Sequence, residues 1–97
     1  MPIDKYVLIT DIPATFDVMQ LTVRNYREVM AWLESNGFKV VFYADVFNKY
    51  YLAIKNGRGE CIYDYIEFNK YIVVQNNRIV DVLGATFFHK KYSYLTK

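Results

Sequence analysis

Between Tyr50 and Leu83 the sequence is cut three times by residues that favour positive φ. The cuts are Asn56-Gly57-Arg58-Gly59, Asn69-Lys70 and Asn76-Asn77. The pieces between them, Tyr50 to Lys55, Cys61 to Phe68, Tyr71 to Gln75 and Arg78 to Leu83, are rich in aromatic and β-branched residues. Turns this short can join antiparallel strands, whereas parallel strands need a longer crossover. Asn76-Asn77 suits a two-residue type I′ hairpin. With those two as the loop, Val73 faces Val80 and Tyr71 faces Val82, four residues on the core side. Ile72, Val74, Ile79 and Asp81 then share the other side, and a one-residue slip would exchange the faces.

The first half supplies the helix. Val23, Tyr26, Met30 and Leu33 recur at three and four, and Val29 and Trp32 widen the stripe. Thr22 is the expected N-cap. Gly37 stands where a left-handed residue ends a helix, with Phe38 placed to pack back on the last turn. The helix is expected over about 22–36. Strands are expected at 6–10, broken by Asp11-Ile12-Pro13, at 15–21 and at 38–44. Asp45 to Lys49 reads as a turn. In Cys61 to Phe68 the alternation puts Ile62, Asp64, Ile66 and Phe68 on one face and Cys61, Tyr63, Tyr65 and Glu67 on the other. Near the end, Phe88, Tyr92 and Leu95 recur at four and three, and Thr86 can cap, giving a short helix over about 86–93. A final strand is the alternative. The expected fold is α+β: one amphipathic helix on a mainly antiparallel sheet of five to seven strands, with a short C-terminal helix.

The 97 residues are enough for one domain, expected over 1–97, and too few for two. A hydrophobic fraction of 54% with six Gly and Pro excludes disordered and collagenous classes. One Cys excludes an internal disulfide and multi-thiolate zinc sites, and it fits a reducing cytoplasm. No window is apolar enough for a membrane span, and the run Tyr6-Val7-Leu8-Ile9 is too short for the apolar region of a signal peptide. The net charge of +2 is unevenly spread. Residues 1–48 carry six acids and four bases, and residues 49–97 carry eight bases and four acids. The basic half could contact nucleic acid.

Few catalytic constellations can be built from one His, one Cys and two Ser. His89 lies among lysines with no acid beside it, so it is expected at the surface rather than as a general base. Cys61 has Glu60 and Asp64 for neighbours, which disfavours a reactive thiolate, and is expected to be a small packing residue. Glu60, Asp64 and Glu67 do not converge on one strand face, so neither metal nor cofactor is expected. Asn56-Gly57-Arg58-Gly59 precedes a strand rather than a helix, so it reads as a hairpin turn and not a phosphate loop. No enzyme is expected.

Ten tyrosines are the unusual quantity. A buried phenol wants a polar neighbour, so many of them must face water. They could line a solvated sheet face, stack single-stranded nucleic acid with help from Lys49, Lys55 and Arg58, or anchor a protein partner. The residues expected at a partner interface are Tyr50, Tyr51, Tyr63, Tyr65 and Arg58. A homodimer would cover the strand edges and aromatic surface.

Several short pieces resemble a family of small bacteriophage proteins with a Pro-Gly-Asp-Tyr-Ile turn and strand. Pro13-Ala14-Thr15-Phe16-Asp17-Val18-Met19-Gln20 resembles the family's opening strand, and Tyr26 to Leu33 its helix. Leu52-Ala53-Ile54-Lys55-Asn56-Gly57 resembles the middle strand, and Tyr71-Ile72-Val73-Val74 the Tyr-Ile strand. Asn77-Arg78-Ile79-Val80-Asp81-Val82-Leu83 resembles the strand after it, and Thr86-Phe87-Phe88-His89-Lys90-Lys91-Tyr92 the ending. Phe68-Asn69-Lys70 stands where the family has Pro-Gly-Asp. The resemblance implies a phage origin and the topology above, with no catalytic residues to carry over. The function expected is a phage-encoded, non-enzymatic protein that binds and inhibits a host bacterial protein, such as a defence component. The alternatives are nucleic-acid binding through the basic half, and sequestration of a nucleotide or other small ligand.

Overall fold

The computed structural model describes residues 3–8, 15–47 and 49–94. The elements in chain order are β1 (Asp4–Leu8), β2 (Thr15–Gln20), α1 (Tyr26–Ser35), β3 (Lys39–Ala44), β4 (Tyr50–Lys55), β5 (Cys61–Glu67), β6 (Tyr71–Gln75), β7 (Arg78–Leu83), α2 (Ala85–Lys91) and β8 (Tyr92–Tyr94). The class is α+β, rich in strand. The strands form two antiparallel sheets, β7-β6-β2-β1-β8 and β3-β4-β5. The break expected at Asp11-Ile12-Pro13, and Leu95, lie outside the described residues.

The chain divides into two compact units. The first is built from residues 1–20 and 69–97, and the second from residues 21–68. The second unit is therefore an insertion in the sequence of the first.

In the first unit, Phe16, Val18, Val73, Phe88 and Tyr92 form one buried cluster, with Tyr6, Tyr71 and Leu83 packed against it. Helix α2 provides the lid of this cluster through Phe88. Its ring stacks on Tyr71 at 4.2 Å, meets Tyr6 edge-on at 4.8 Å and stacks on Tyr92 at 5.3 Å. Met19, Ile72 and Val74, which alternate with these residues along β2 and β6, are also buried. Both outcomes expected for the C-terminus occur in sequence. The helix stops where Tyr92 adopts an extended backbone, and Tyr92, Ser93 and Tyr94 pair with Leu8, Val7 and Tyr6. Thr86 does not cap α2. Gly84 stands at the cap, and its carbonyl accepts the Phe88 N–H at 2.9 Å.

The β6–β7 hairpin turns at Asn76 and Asn77, with φ of 53° and 60°, as a type I′ loop requires. Its register corrects the expectation. Gln75 faces Arg78 and Val74 faces Ile79, but a bulge then moves Val73 opposite Asp81, Ile72 opposite Val82 and Tyr71 opposite Leu83. Val80 is the extra residue and is exposed. One inserted residue reverses the alternation beyond it, so Asp81 and Leu83 join the side of Val73 and Tyr71 in place of Val80 and Val82.

In the second unit, α1 lies on the face of the three-stranded sheet that carries Phe42 and its register partner Leu52, since Tyr26 stacks on Phe42 at 4.9 Å. Val29, Trp32 and Leu33 of the helix are buried, as are Leu52, Ile54 and Ile66 of the sheet. Thr22 does not cap this helix, and Val23 lies before it, largely exposed. Asn25 Oδ1 instead turns back to accept the Thr22 backbone N–H at 2.8 Å and its hydroxyl at 2.9 Å, which holds a turn over residues 22–25. The C-terminal end follows the sequence closely. Gly37 has φ of 91°, its N–H donates to Glu34 O, and the Phe38 N–H donates to Leu33 O, a complete Schellman arrangement.

Candidate functional site: a tyrosine ladder and an aromatic cleft

Alternation along a strand sends successive side chains to opposite faces, and β3 and β4 are in regular register. Tyr43 is directly opposite Tyr51 on the face away from α1, with ring centroids 5.2 Å apart and planes within 19°. Tyr65 of β5 packs on the other side of Tyr51 at 4.4 Å. The three rings make a ladder across all three strands. Tyr51 is half-buried between neighbours that are 42% and 48% exposed. Each outer ring therefore has a free flank, while its inner flank is braced by stacking.

Two bulges in β5 separate residues that simple alternation places together. Leu52 faces Ile66, but Ile54 faces Tyr63 and Lys55 faces Cys61. Asp64 and Tyr65 together stand opposite Ala53, and the parity changes between Tyr65 and Tyr63. Tyr63 is thereby brought across from Ile54 rather than alongside Tyr65, which corrects the face expected for it. The expected interface residues thus divide. Tyr51 and Tyr65 are together, with Tyr43 as a third member. Tyr50 lies on the opposite face, stacked on Phe42 at 5.7 Å and close to Phe68 at 5.8 Å. Arg58 is exposed in the β4–β5 turn, where Asn56 Oδ1 accepts its backbone N–H and that of Glu60.

Tyr50 belongs to a second feature. Val23, Tyr26, Phe42, Tyr50 and Phe68 line an open cleft of about 330 Å³. A neighbouring depression of about 390 Å³ shares Val23 and Tyr26 and adds Arg24, Arg27 and Glu28. The Arg27 guanidinium sits over the Tyr26 ring at 5.7 Å. The helix periodicity places Val23 and Tyr26 in the core stripe, and for that reason the cleft is not apparent from spacing alone.

The β3–β4 loop carries a further signal that sequence reasoning passes over as a plain turn. Asp45 Oδ1 accepts the N–H groups of Phe47 and Lys49, and Asp45 N–H donates to Lys49 O. This frame presents Val46 and Phe47 to solvent, 90% and 79% exposed. Two large apolar residues between Asp45 and Lys49 are the readable signal.

The remaining candidates are dispersed. His89 is exposed, with its ring edge-on to Tyr71 at 5.4 Å. Cys61 is exposed, which corrects its expected packing role: it stands opposite Lys55, on the sheet face that Tyr51 shares. Glu60 Oε1 accepts from Asn56 Nδ2 at 3.0 Å. Among the described residues no three His, Cys, Asp or Glu side chains converge, and no helix is long and apolar enough to cross a membrane. Tyr92 is a strongly perturbed ionisable group. Burial, then its hydrogen bond to Asp81 and that carboxylate's charge, raise its pKa above the ordinary tyrosine value.

No family model, curated protein or solved structure matches this chain.

Proposed function

We propose that this chain is a non-enzymatic binding module whose partner is another protein, held on the Tyr43-Tyr51-Tyr65 face of the three-stranded sheet. The observation that supports this reading is the ladder itself. Tyrosine offers a large amphipathic contact area at small conformational cost, and rings already braced by stacking lose little freedom on binding. Val41, on the same strand face as Tyr43, is also exposed, as are Val46 and Phe47 in the adjoining loop. The phage resemblance points to a host bacterial protein as the partner and to inhibition as the outcome.

The test is affinity capture from nuclease-treated bacterial lysate with the full chain and with a Tyr51→Ala/Tyr65→Ala variant. The expected result is one abundant protein captured by the former and lost by the latter, with circular dichroism unchanged. Equal capture by both, or recovery of nucleic acid in place of protein in an untreated lysate, overturns the reading.

A further inference from the structure

We propose that the aromatic cleft beside α1 binds a nucleoside monophosphate, with the base against Tyr26, Phe42, Tyr50 and Phe68 and the phosphate at Arg24 and Arg27. The site is on the sheet face opposite the tyrosine ladder and does not depend on the protein-binding reading.

The cleft volume of about 330 Å³ falls at the small end of the range for small-molecule sites, about 300–1,000 Å³. Its walls are four aromatic rings and one valine. Such a lining suits a flat, unsaturated ring system, because base and aromatic side chain stack whatever the base. Tyr50 is 41% exposed and Val23 62% exposed, so the cleft opens directly to solvent. The hydroxyls of Tyr26 and Tyr50 are the only polar side-chain atoms among these five residues.

The adjoining depression defines the rest of the ligand. It shares Val23 and Tyr26 with the cleft and is otherwise lined by charge: Arg24, Arg27 and Glu28. A ligand seated on the rings therefore reaches two guanidinium groups by passing Tyr26, against which Arg27 already rests. Guanidinium groups recognise phosphate through paired N–H donors. Glu28 reduces the local charge to a net +1, which suits one phosphate and opposes three. Its carboxylate can accept from a sugar hydroxyl.

Two other occupants fit less well. A single-stranded nucleic acid needs a basic track beyond one base. Residues 21–68 hold six bases and six acids, so the unit is neutral. A phosphotyrosine presents a single six-membered ring to a lining of four.

The experiment is calorimetric titration of the full chain with AMP, GMP, CMP and UMP, and with adenosine, ATP, phosphotyrosine and a short oligothymidylate. At least one monophosphate is expected to bind saturably and more tightly than its nucleoside and triphosphate. Tyr50→Ala should weaken that binding about tenfold to a hundredfold, in line with the loss of one stacking partner. Arg27→Ala should weaken AMP and leave adenosine unchanged. Both residues are exposed, and circular dichroism on each variant checks that the fold is kept. Absence of binding by all four monophosphates at millimolar concentration overturns the proposal. So does equal affinity for adenosine and AMP, tighter binding of phosphotyrosine, or oligothymidylate binding that is tighter and falls steeply with salt.

Discussion

The Tyr92 hydroxyl donates a hydrogen bond to Asp81 Oδ2, and the bulge at Val80 is what puts that carboxylate on Tyr92's side of the sheet. Without the extra residue Asp81 would face the other way. Lys91 also donates to Asp81 Oδ2, at 2.8 Å, but from an exposed position, so its ion pair contributes little. Asp81→Ala leaves a phenol with no acceptor in a residue only 3% exposed, and should cost about 1–3 kcal/mol. Tyr92→Phe should cost less, since it removes donor and demand together. Urea unfolding of the two single variants and the double variant measures the coupling, which should be favourable.

The same contact predicts an alkaline sensitivity. The Tyr92 pKa is raised in the folded chain by burial first and by Asp81 second. A raised pKa means the folded state holds its proton after the unfolded state has released it. The stabilisation is complete below the ordinary tyrosine value of about 10 and is lost as pH rises from there toward the folded value. Ten tyrosines titrate in the unfolded chain, so the contribution is isolated by difference. Stability should fall less steeply above about pH 10 in Tyr92→Phe than in the parent, as read by urea midpoints at successive pH values.

Phe88 is the most heavily engaged ring of the first unit. It is fully buried and stacks or meets edge-on with Tyr6, Tyr71 and Tyr92. Phe88→Ala should cost about 3–5 kcal/mol through lost transfer energy and the cavity left behind. Phe87 beside it is 68% exposed, and Phe87→Ala should change stability by less than about 0.5 kcal/mol. Thermal melts of the pair test which ring holds α2 to the sheet.

Two backbone positions give opposite signs. Gly37 has φ of 91° and open space around the place a Cβ would occupy, so Gly37→Ala pays only for the backbone, about 1 kcal/mol or somewhat more. Asn77 has φ of 60° at the second loop position of the type I′ turn, where glycine is favoured. Asn77→Gly should be neutral or raise the melting temperature.

The sequence is most informative where one residue type answers one geometric demand. Asn76-Asn77 locates a hairpin, Gly37 ends a helix, and the strands at Tyr50–Lys55, Tyr71–Gln75 and Arg78–Leu83 occur with the expected bounds. It is least informative about parity. A bulge adds one residue without an obvious mark, and each of the three bulges, one in β7 and two in β5, changes which side chains share a face. That is why Asp81 was expected away from Val73, and why Tyr63 was expected beside Tyr65. The candidate site divides: the sequence groups Tyr50, Tyr51, Tyr63 and Tyr65, alternation sends Tyr50 to the face opposite Tyr51, a bulge separates Tyr63 from Tyr65, and the cleft that Tyr50 lines needs Val23 and Tyr26 from before and within α1. Capping departs from the spacing at both helices: Asn25 and Gly84 hold the cap positions without a side-chain cap bond, and the Thr22 hydroxyl is engaged by Asn25 Oδ1.

The insertion of residues 21–68 between β2 and β6 has a kinetic consequence. Gln20 and Tyr71 are register partners, and Gln20 Nε2 donates to Asn69 O at 3.2 Å, so the two points where the chain leaves and rejoins the first unit are adjacent. Bringing them together in an unstructured chain closes a loop of nearly fifty residues, at about 3 kcal/mol of entropy. The inserted unit is a helix and a three-stranded meander, all local pairings. A unit built of local pairings can form before the loop closes, and its formation would then shorten the effective loop that the β2–β6 pairing must close.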